Sequence, residues 1–444
     1  MSSHQQNEMI PSASSSSSES NGKHSSSEEA EYPRVLDRNL FKKKINVLLT
    51  RVPVKNLSVL NKKLKGHLLD RKKMKSIEDI DNCTDYKYLI LHEKYTTVES
   101  VPQKVMDILK EHEAGDLTQQ TRELTYDHLT YNEVLSTFVP SGLEITSSFE
   151  QVGHVAHLNI PDEVLKYKYL ISQVMLDKNP TLKTVVNKIG MIDSVFREFK
   201  MELLCGEDNF NVTVKENGIT FKFNYREVYW NSRLGTEHTR LLSFFDKSQV
   251  VCDMMAGVGP FAVPAAKKVR CRVLANDLNP KSYEYMKENA IINKVTDNME
   301  CFNMDGREFI KYLVEERKLV FHHVIMNLPA SAVEFLDVFR VDQTRIDFQP
   351  LIHCYTFVKG SAKDGDDLQE LSKQQVEQVI GQDHVMEYVD IHHVRNVAPR
   401  KEMMCVSFRL KQPHQNAPTT SPLKRKQEEI SPSEEHQEDK KLKQ

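Results

Sequence analysis

Between Val250 and Met326 the hydrophobic positions fall into short apolar runs, each ending in a polar residue beside a turn. Val250-Val251-Cys252 leads to Asp253 and the turn Gly257-Val258-Gly259, and Arg272-Val273-Leu274-Ala275-Asn276 leads to Asp277. A helix-length segment from Lys281 to Asn293 precedes a third run near Met299 to Met304, closed by Asp305-Gly306. The last run, Val320 to Met326, ends in Asn327-Leu328-Pro329. Strand, turn and helix in succession predict an α/β fold with a mostly parallel, doubly wound sheet, whose ligands bind at the carboxyl ends of the strands.

Upstream, from about 116 to 224, the pattern is mixed. A helical stretch, Val164 to Leu176, precedes the strand-like Thr184 to Ile189. Asn211-Val212-Thr213-Val214 and Ile219 to Phe223 alternate with period two around Asn217-Gly218, which predicts a hairpin. This region reads as α+β. Length alone, 444 residues, exceeds one ordinary core. Residues 1–31 hold twelve serines and five glutamates with almost nothing apolar, and 413–444 hold no aromatics, so both read as disordered tails. The chain is therefore divided at 1–31, 32–115, 116–225, 226–412 and 413–444.

The formal net charge of −3 identifies no partner, but its distribution does. Between Lys42 and Lys75 twelve basic residues face one acid, Asp70, and apolar residues such as Val47, Leu60 and Leu64 interleave them. Such a segment folds and presents a basic face suited to phosphates, the alternative being a solvated surface balanced by acids elsewhere. Seven cysteines without Cys-x-x-Cys spacing, and no secretory signal, point to a reduced intracellular protein without structural zinc. His322-His323 and His392-His393 would point to opposite faces of a strand, so no metal is expected. No segment reads as membrane-spanning.

The polar strand ends carry the chemistry. Glycines at 257 and 259 let the backbone approach a ligand closely, and Asp277, eighteen residues after Gly259, is placed to accept both hydroxyls of a ribose. Pro260-Phe261-Ala262 stands where a dinucleotide fingerprint has its third glycine. Asp305-Gly306 supplies an acceptor for an adenine amino group, or simply a turn. Together with Asp253 and Asn327 these favour S-adenosylmethionine over a nicotinamide cofactor.

The segments Val228 to His238, Asp253 to Phe261, Asp277-Leu278-Asn279-Pro280, Asn327 to Asp337 and Val394 to Lys401 resemble the eukaryotic and archaeal tRNA (guanine-N1)-methyltransferase family. The resemblance covers roughly 190–410 and weakens toward the amino terminus. It implies a Rossmann-like class I methyltransferase domain preceded by smaller α+β RNA-binding domains, with 32–115 binding tRNA. The implied reaction methylates N1 of the guanosine at tRNA position 37, just 3′ of the anticodon, in support of reading-frame maintenance. It further implies Glu237 as general base, Arg197 beside the charge developing on O6, and Asn327 orienting the base. Cofactor contacts are expected from Asp253, Gly257, Gly259, Asp277, Leu278, Asp305, Gly306, Asn327 and Pro329. RNA contacts are expected from Arg233, His238, Lys42, Lys43, Lys62 and Lys63. Without the resemblance, Glu237 reads as a first-turn helix acid and Arg197 and Arg233 as phosphate contacts or ion-pair partners.

Relatives that methylate exocyclic amines carry an aromatic where this chain has Ala330, so stacking on the base falls to Tyr229 or Trp230. Two other readings remain open: transfer of the aminocarboxypropyl arm of the same cofactor, and a non-catalytic RNA-binding protein. The family implies a monomer found in nucleus and cytoplasm, with the mitochondrial matrix as a further compartment. Lys424-Arg425-Lys426 suits nuclear import, while the acidic first thirty residues, which lack arginine, do not resemble a transit peptide.

Overall fold

The computed structural model describes residues 35–145, 147–189, 200–340, 346, 348–381 and 384–410, and it divides into two compact units. The first, formed by residues up to 145 with 162–174, holds a four-stranded antiparallel sheet. Its strands are β1 (Lys43–Pro53), β2 (Ile77–Ile80), β3 (Cys83–Ile90) and β4 (Thr118–Leu124), in the order β2-β3-β1-β4. The central position of β1 explains its four consecutive buried residues, Val47 to Thr50. Against its Leu48 and Val52 pack Leu60 and Leu64, from and just after the helix Leu57–Lys63, and Val105 and Leu109 from the helix Gln103–Glu111. The unit does not end at 115, because β4 pairs with β1 from Lys43 to Leu49.

The basic block is thus a strand, a short helix and a turn rather than one face. Lys55 pairs with Glu113 at 2.7 Å, Lys63 with Glu111 at 3.2 Å, Lys73 with Asp127 at 2.8 Å, and Arg71 with Glu93 and Glu133. Lys42, Lys43 and Lys44 stay exposed at the start of β1, as does Lys62 on the helix.

The second unit contains three sheets. β5 (Glu150–Val152), β6 (Val155–Leu158), β7 (Thr184–Lys188) and β8 (Met201–Gly206) lie in chain order. β9 (Asn211–Glu216) and β10 (Ile219–Asn224) form the expected hairpin, with Asn217 and Gly218 at φ 51° and 80°. Two positive φ values are what a type I′ turn requires, and Asn-Gly adopts them readily.

The seven-stranded sheet consists of β11 (Val250–Asp253), β12 (Arg272–Asn276), β13 (Met299–Phe302), β14 (His323–Met326), β15 (Leu351–Lys359), β16 (Val385–Ala398) and β17 (Lys401–Leu410). Its order is β13-β12-β11-β14-β15-β17-β16, with the first five parallel and β17 antiparallel between β15 and β16. This is the doubly wound α/β class expected from the sequence. The order reverses between β11 and β14, so the crevice opens where their carboxyl ends diverge. β13 stops at Phe302 rather than Met304, because the Met304 N–H turns to donate to Asn276 Oδ1 at 2.9 Å.

The expected boundary at 225 cuts across packed structure. Asn289 and Asn293, buried on the helix Pro280–Asn293, reach the free edge of β10 and accept hydrogen bonds from Lys222 N–H at 2.8 Å and Thr220 N–H at 3.2 Å. The hairpin therefore belongs with the large sheet. That helix is fixed at its start by Asn279, whose side chain accepts from Lys281 N–H, and by Pro280 in the first turn.

Candidate active site

A cavity of about 450 Å³ opens at the reversal point of the seven-stranded sheet. Its floor is the turn after β11, from Met254 to Phe261, excluding Gly259. Gly257 and Gly259 take φ values of 56° and 95°, and a Cβ at 259 would lie 2.8 Å from Val263 Cγ2, so both space and backbone demand glycine there. One wall is Asp277, Leu278 and Asn279, another Asp305 and Gly306, and a third Asn327, Leu328 and Pro329 with Phe335. Tyr229, Trp230, His238 and Phe357 also line it.

Asp277 is the most constrained of these groups. Its Oδ2 accepts from Gly257 N–H at 2.7 Å and its Oδ1 from Asn279 N–H at 2.9 Å, so one carboxylate ties the glycine turn to the end of β12. Desolvation raises its pKa to about 6, opposed by those backbone donors. Asp253 lies fully buried beneath the turn, outside the cavity lining, and neither of its oxygens makes a well-formed hydrogen bond. Burial, then the charge of Asp277, raises it to about 8, with the Met255 amide opposing. At neutral pH it is therefore largely protonated, which is how a buried acid avoids an unpaired charge.

Asp305 is both a helix cap and a cavity residue. Its Oδ1 caps the helix Gly306–Lys311, accepting from Arg307 N–H at 2.9 Å, while the residue lines the cavity. Asn327 Oδ1 is shielded from solvent and has no hydrogen-bond partner among the described residues. An acceptor left in this way at a cavity wall is available to a donor on a bound ligand.

Not every expected residue stands open to the cavity. Glu237 is 4 % exposed and is absent from the cavity lining. Its carboxylate accepts from Arg240 Nε at 2.6 Å and Nη2 at 2.7 Å and from Tyr355 Oη at 2.7 Å, with His392 Nε2 at 3.7 Å. Three of the roughly four lone-pair sites of the carboxylate are taken up by Arg240 and Tyr355. His238 is not a surface RNA contact. It is equally buried, its Nδ1 lies 2.7 Å from Glu216 Oε1, and its ring meets the edge of Phe261 within the cavity lining. Lys63 lies 3.2 Å from Glu111 on the surface. Arg233 is exposed beside the cavity residue Leu234, while Arg197 lies outside the described residues. Of the two stacking candidates, Trp230 is packed 5.1 Å from both Phe221 and Phe223, leaving Tyr229, 40 % exposed, as the ring at the mouth.

Sequence reasoning missed Asn276, Phe335 and Phe357. Asn276 joins strand ends by donating to Met254 O at 3.2 Å and Met304 O at 3.0 Å. Phe357 is placed by sheet register, its N–H donating to Pro329 O at 3.0 Å, and no local pattern signals it. Among the described residues no group of three or more His, Cys, Asp or Glu is placed to hold a metal, and no helix is long and apolar enough to cross a membrane.

Residues 212–380 match the TRM5/TYW2 methyltransferase domain family, and 131–209 match the TYW2 N-terminal domain. A tRNA (guanine(37)-N(1))-methyltransferase of Dictyostelium discoideum is 42% identical over 85% of this chain and 82% of its own length. That of Homo sapiens is 38% identical over 84% and 75%. Among solved structures, aTrm5 in complex with tRNALeu aligns over 82% of this chain and 100% of that chain with a TM-score of 0.62 at 26% identity. Trm5b from Pyrococcus abyssi covers 82% of this chain and 99% of that one, with a TM-score of 0.56 at 27% identity. Sustained identity through both the amino-terminal region and the sheet whose crevice forms the cavity settles the assignment: this chain belongs to the tRNA (guanine(37)-N(1))-methyltransferase family.

Proposed function

We propose that the protein transfers the methyl group of S-adenosylmethionine to N1 of the guanosine at tRNA position 37, producing N1-methylguanosine. The observation that carries this reading is the unpartnered Asn327 carbonyl in the cavity wall. Guanine carries an N2 amino donor beside N1, so this acceptor suits its Watson–Crick edge while leaving N1 open. An anticodon-loop base is unpaired and enters such a cavity at little cost.

The cavity residues fit the methyl donor. We assign Asp277 to the ribose, Leu278 and Asp305-Gly306 to the adenine, and the 257–259 turn to the methionine end. When bound, the sulfonium supplies an electrophilic methyl group. Guanine N1 carries a proton at neutral pH, so the protein must remove it and stabilise charge on O6. We assign the first task to Glu237, which requires Arg240 to release its carboxylate. Arg197 is assigned to O6, Tyr229 to stacking, and Arg233, Lys42, Lys43 and Lys62 to the RNA backbone.

Action as a monomer is part of the proposal, and sedimentation with and without tRNA tests it. Location in nucleus and cytoplasm, with a mitochondrial matrix pool, rests on the family resemblance, and imaging of a tagged protein tests it. For the base pocket, Asn327→Ala should slow single-turnover methylation of tRNA by roughly 10²-fold, in line with loss of one positioned group. An unchanged rate would remove Asn327 from base recognition.

A further inference from the structure

We infer that Asn289 is a positioning residue for the cofactor turn, an inference that rests on reading the cavity as the S-adenosylmethionine site. Asn289 is fully buried on the helix Pro280–Asn293, and its carboxamide is used at both ends. Oδ1 accepts from Lys222 N–H of β10 at 2.8 Å, while Nδ2 donates to the carbonyl of Val258 at 3.1 Å. Val258 is the middle residue of the Gly257-Val258-Gly259 turn and lines the cavity.

The rest of the turn is held from other directions. Gly257 N–H donates to Asp277 at 2.7 Å, and Gly259 N–H donates to Ala256 O at 2.9 Å. Those bonds fix the turn from the strand side and from within. Asn289 fixes the plane of the 258–259 peptide from the helix side. That peptide is tied at both ends, its Gly259 N–H from within to Ala256 O and its Val258 carbonyl from outside to Asn289, and the positive φ of Gly259 leaves the second bond to set the plane against the helix. The same side chain makes the hairpin part of the cofactor site, which explains why the hairpin packs here although β9 and β10 contribute no cavity-lining residue.

One turn further along the helix, Asn293 serves as an internal comparison. It is buried, accepts from Thr220 N–H at 3.2 Å and donates to Thr220 O at 2.7 Å, and it makes no bond to the turn. Both asparagines therefore anchor the hairpin, but Asn289 alone among them reaches the cofactor turn.

The test uses the full chain. Asn289→Asp keeps the acceptor for Lys222 N–H and sets an oxygen against the Val258 carbonyl. The dissociation constant of S-adenosylmethionine by calorimetry, and its KM, should rise about tenfold, while kcat and the KM for tRNA stay within about twofold. Asn289→Ser, which adds no charge, should show the same selective loss and guards against misfolding of the aspartate variant. Asn293→Ala should lower the thermal midpoint yet leave S-adenosylmethionine affinity unchanged. Unchanged affinity in both Asn289 variants, or an equal loss in Asn293→Ala, would overturn the inference while leaving the parent reading intact. Wild-type protein that binds no S-adenosylmethionine would overturn both.

Discussion

In the proposed mechanism Glu237 and Arg240 form the pair on which the chemistry turns. A carboxylate held by a guanidinium and a tyrosine hydroxyl is a poor base until that grip loosens, and breaking such a buried pair costs about 3–5 kcal/mol when one partner is removed. Glu237→Gln should slow methyl transfer by roughly 10²–10⁴-fold in a single-turnover assay, with tRNA affinity retained. Arg240→Ala loses the same ion pair but leaves the carboxylate, so it should lower the thermal midpoint without matching that loss of rate. Equal rates of loss in the two variants would make Glu237 structural. Asp253 and Asp277 give a second test. Their raised values, about 8 and about 6 against an ordinary 3.8, mean that the folded state favours their protonated forms, so stability is lost as pH rises toward those values. His323, lowered to about 4 by burial, acts the other way and costs stability as pH falls below its ordinary 6.5, so the comparison belongs above that pH. Scanning thermal melts without ligand should show Asp253→Asn gaining on wild type between about pH 6.5 and 9, and a constant difference would contradict the assigned protonation. At this scale the sequence revealed Asp277, Asp305 and Asn327, because strand ends are readable from apolar runs. It did not reveal that Glu237 faces Arg240 and Tyr355, since the latter lies 118 residues away and is brought near only by β15.

The glycine turn and the hairpin are the two elements that shape the cavity. Gly259→Ala places a Cβ against Val263 in a backbone region that disfavours side chains, at a cost of about 1–3 kcal/mol. Calorimetry should then find S-adenosylmethionine binding at least about tenfold weaker, whereas unchanged binding would mean that the turn does not set the site. These elements were legible for a physical reason: Gly-x-Gly after an apolar run and Asn-Gly between alternating strands are local signals. The attachment of the hairpin to the helix Pro280–Asn293 was not legible. It depends on two buried asparagines that in sequence look like ordinary solvated helix positions, so the domain boundary was placed at 225, between parts that pack together.

At the scale of the whole molecule, the exposed lysines of the basic block divide into those paired with acids, such as Lys55 and Lys73, and those such as Lys42, Lys43 and Lys44 for which no ion pair is seen among the described residues, and the proposal gives the phosphates to the latter. Changing Lys42, Lys43 and Lys44 to glutamate should weaken tRNA binding and reduce its dependence on salt, by about one in slope for each phosphate left without its lysine. Changing Lys55 and Lys73, which pair with Glu113 and Asp127, should leave the slope unchanged in filter-binding titrations. Equal effects would return the block to an ordinary solvated surface. The fold class was readable because parallel strands give continuous apolar runs, whereas the first unit's extent was not, because β4 joins β1 by pairing across 75 residues at Asn46 and Thr121. The measurement that bears most directly on the central claim is methylation of tRNA transcripts differing only in the nucleotide 3′ of the anticodon, with the product nucleoside identified by mass. Transcripts with guanosine there should yield N1-methylguanosine, and those with another base should yield none. An aminocarboxypropyl adduct, methylation elsewhere, or transfer indifferent to that nucleotide would contradict the account.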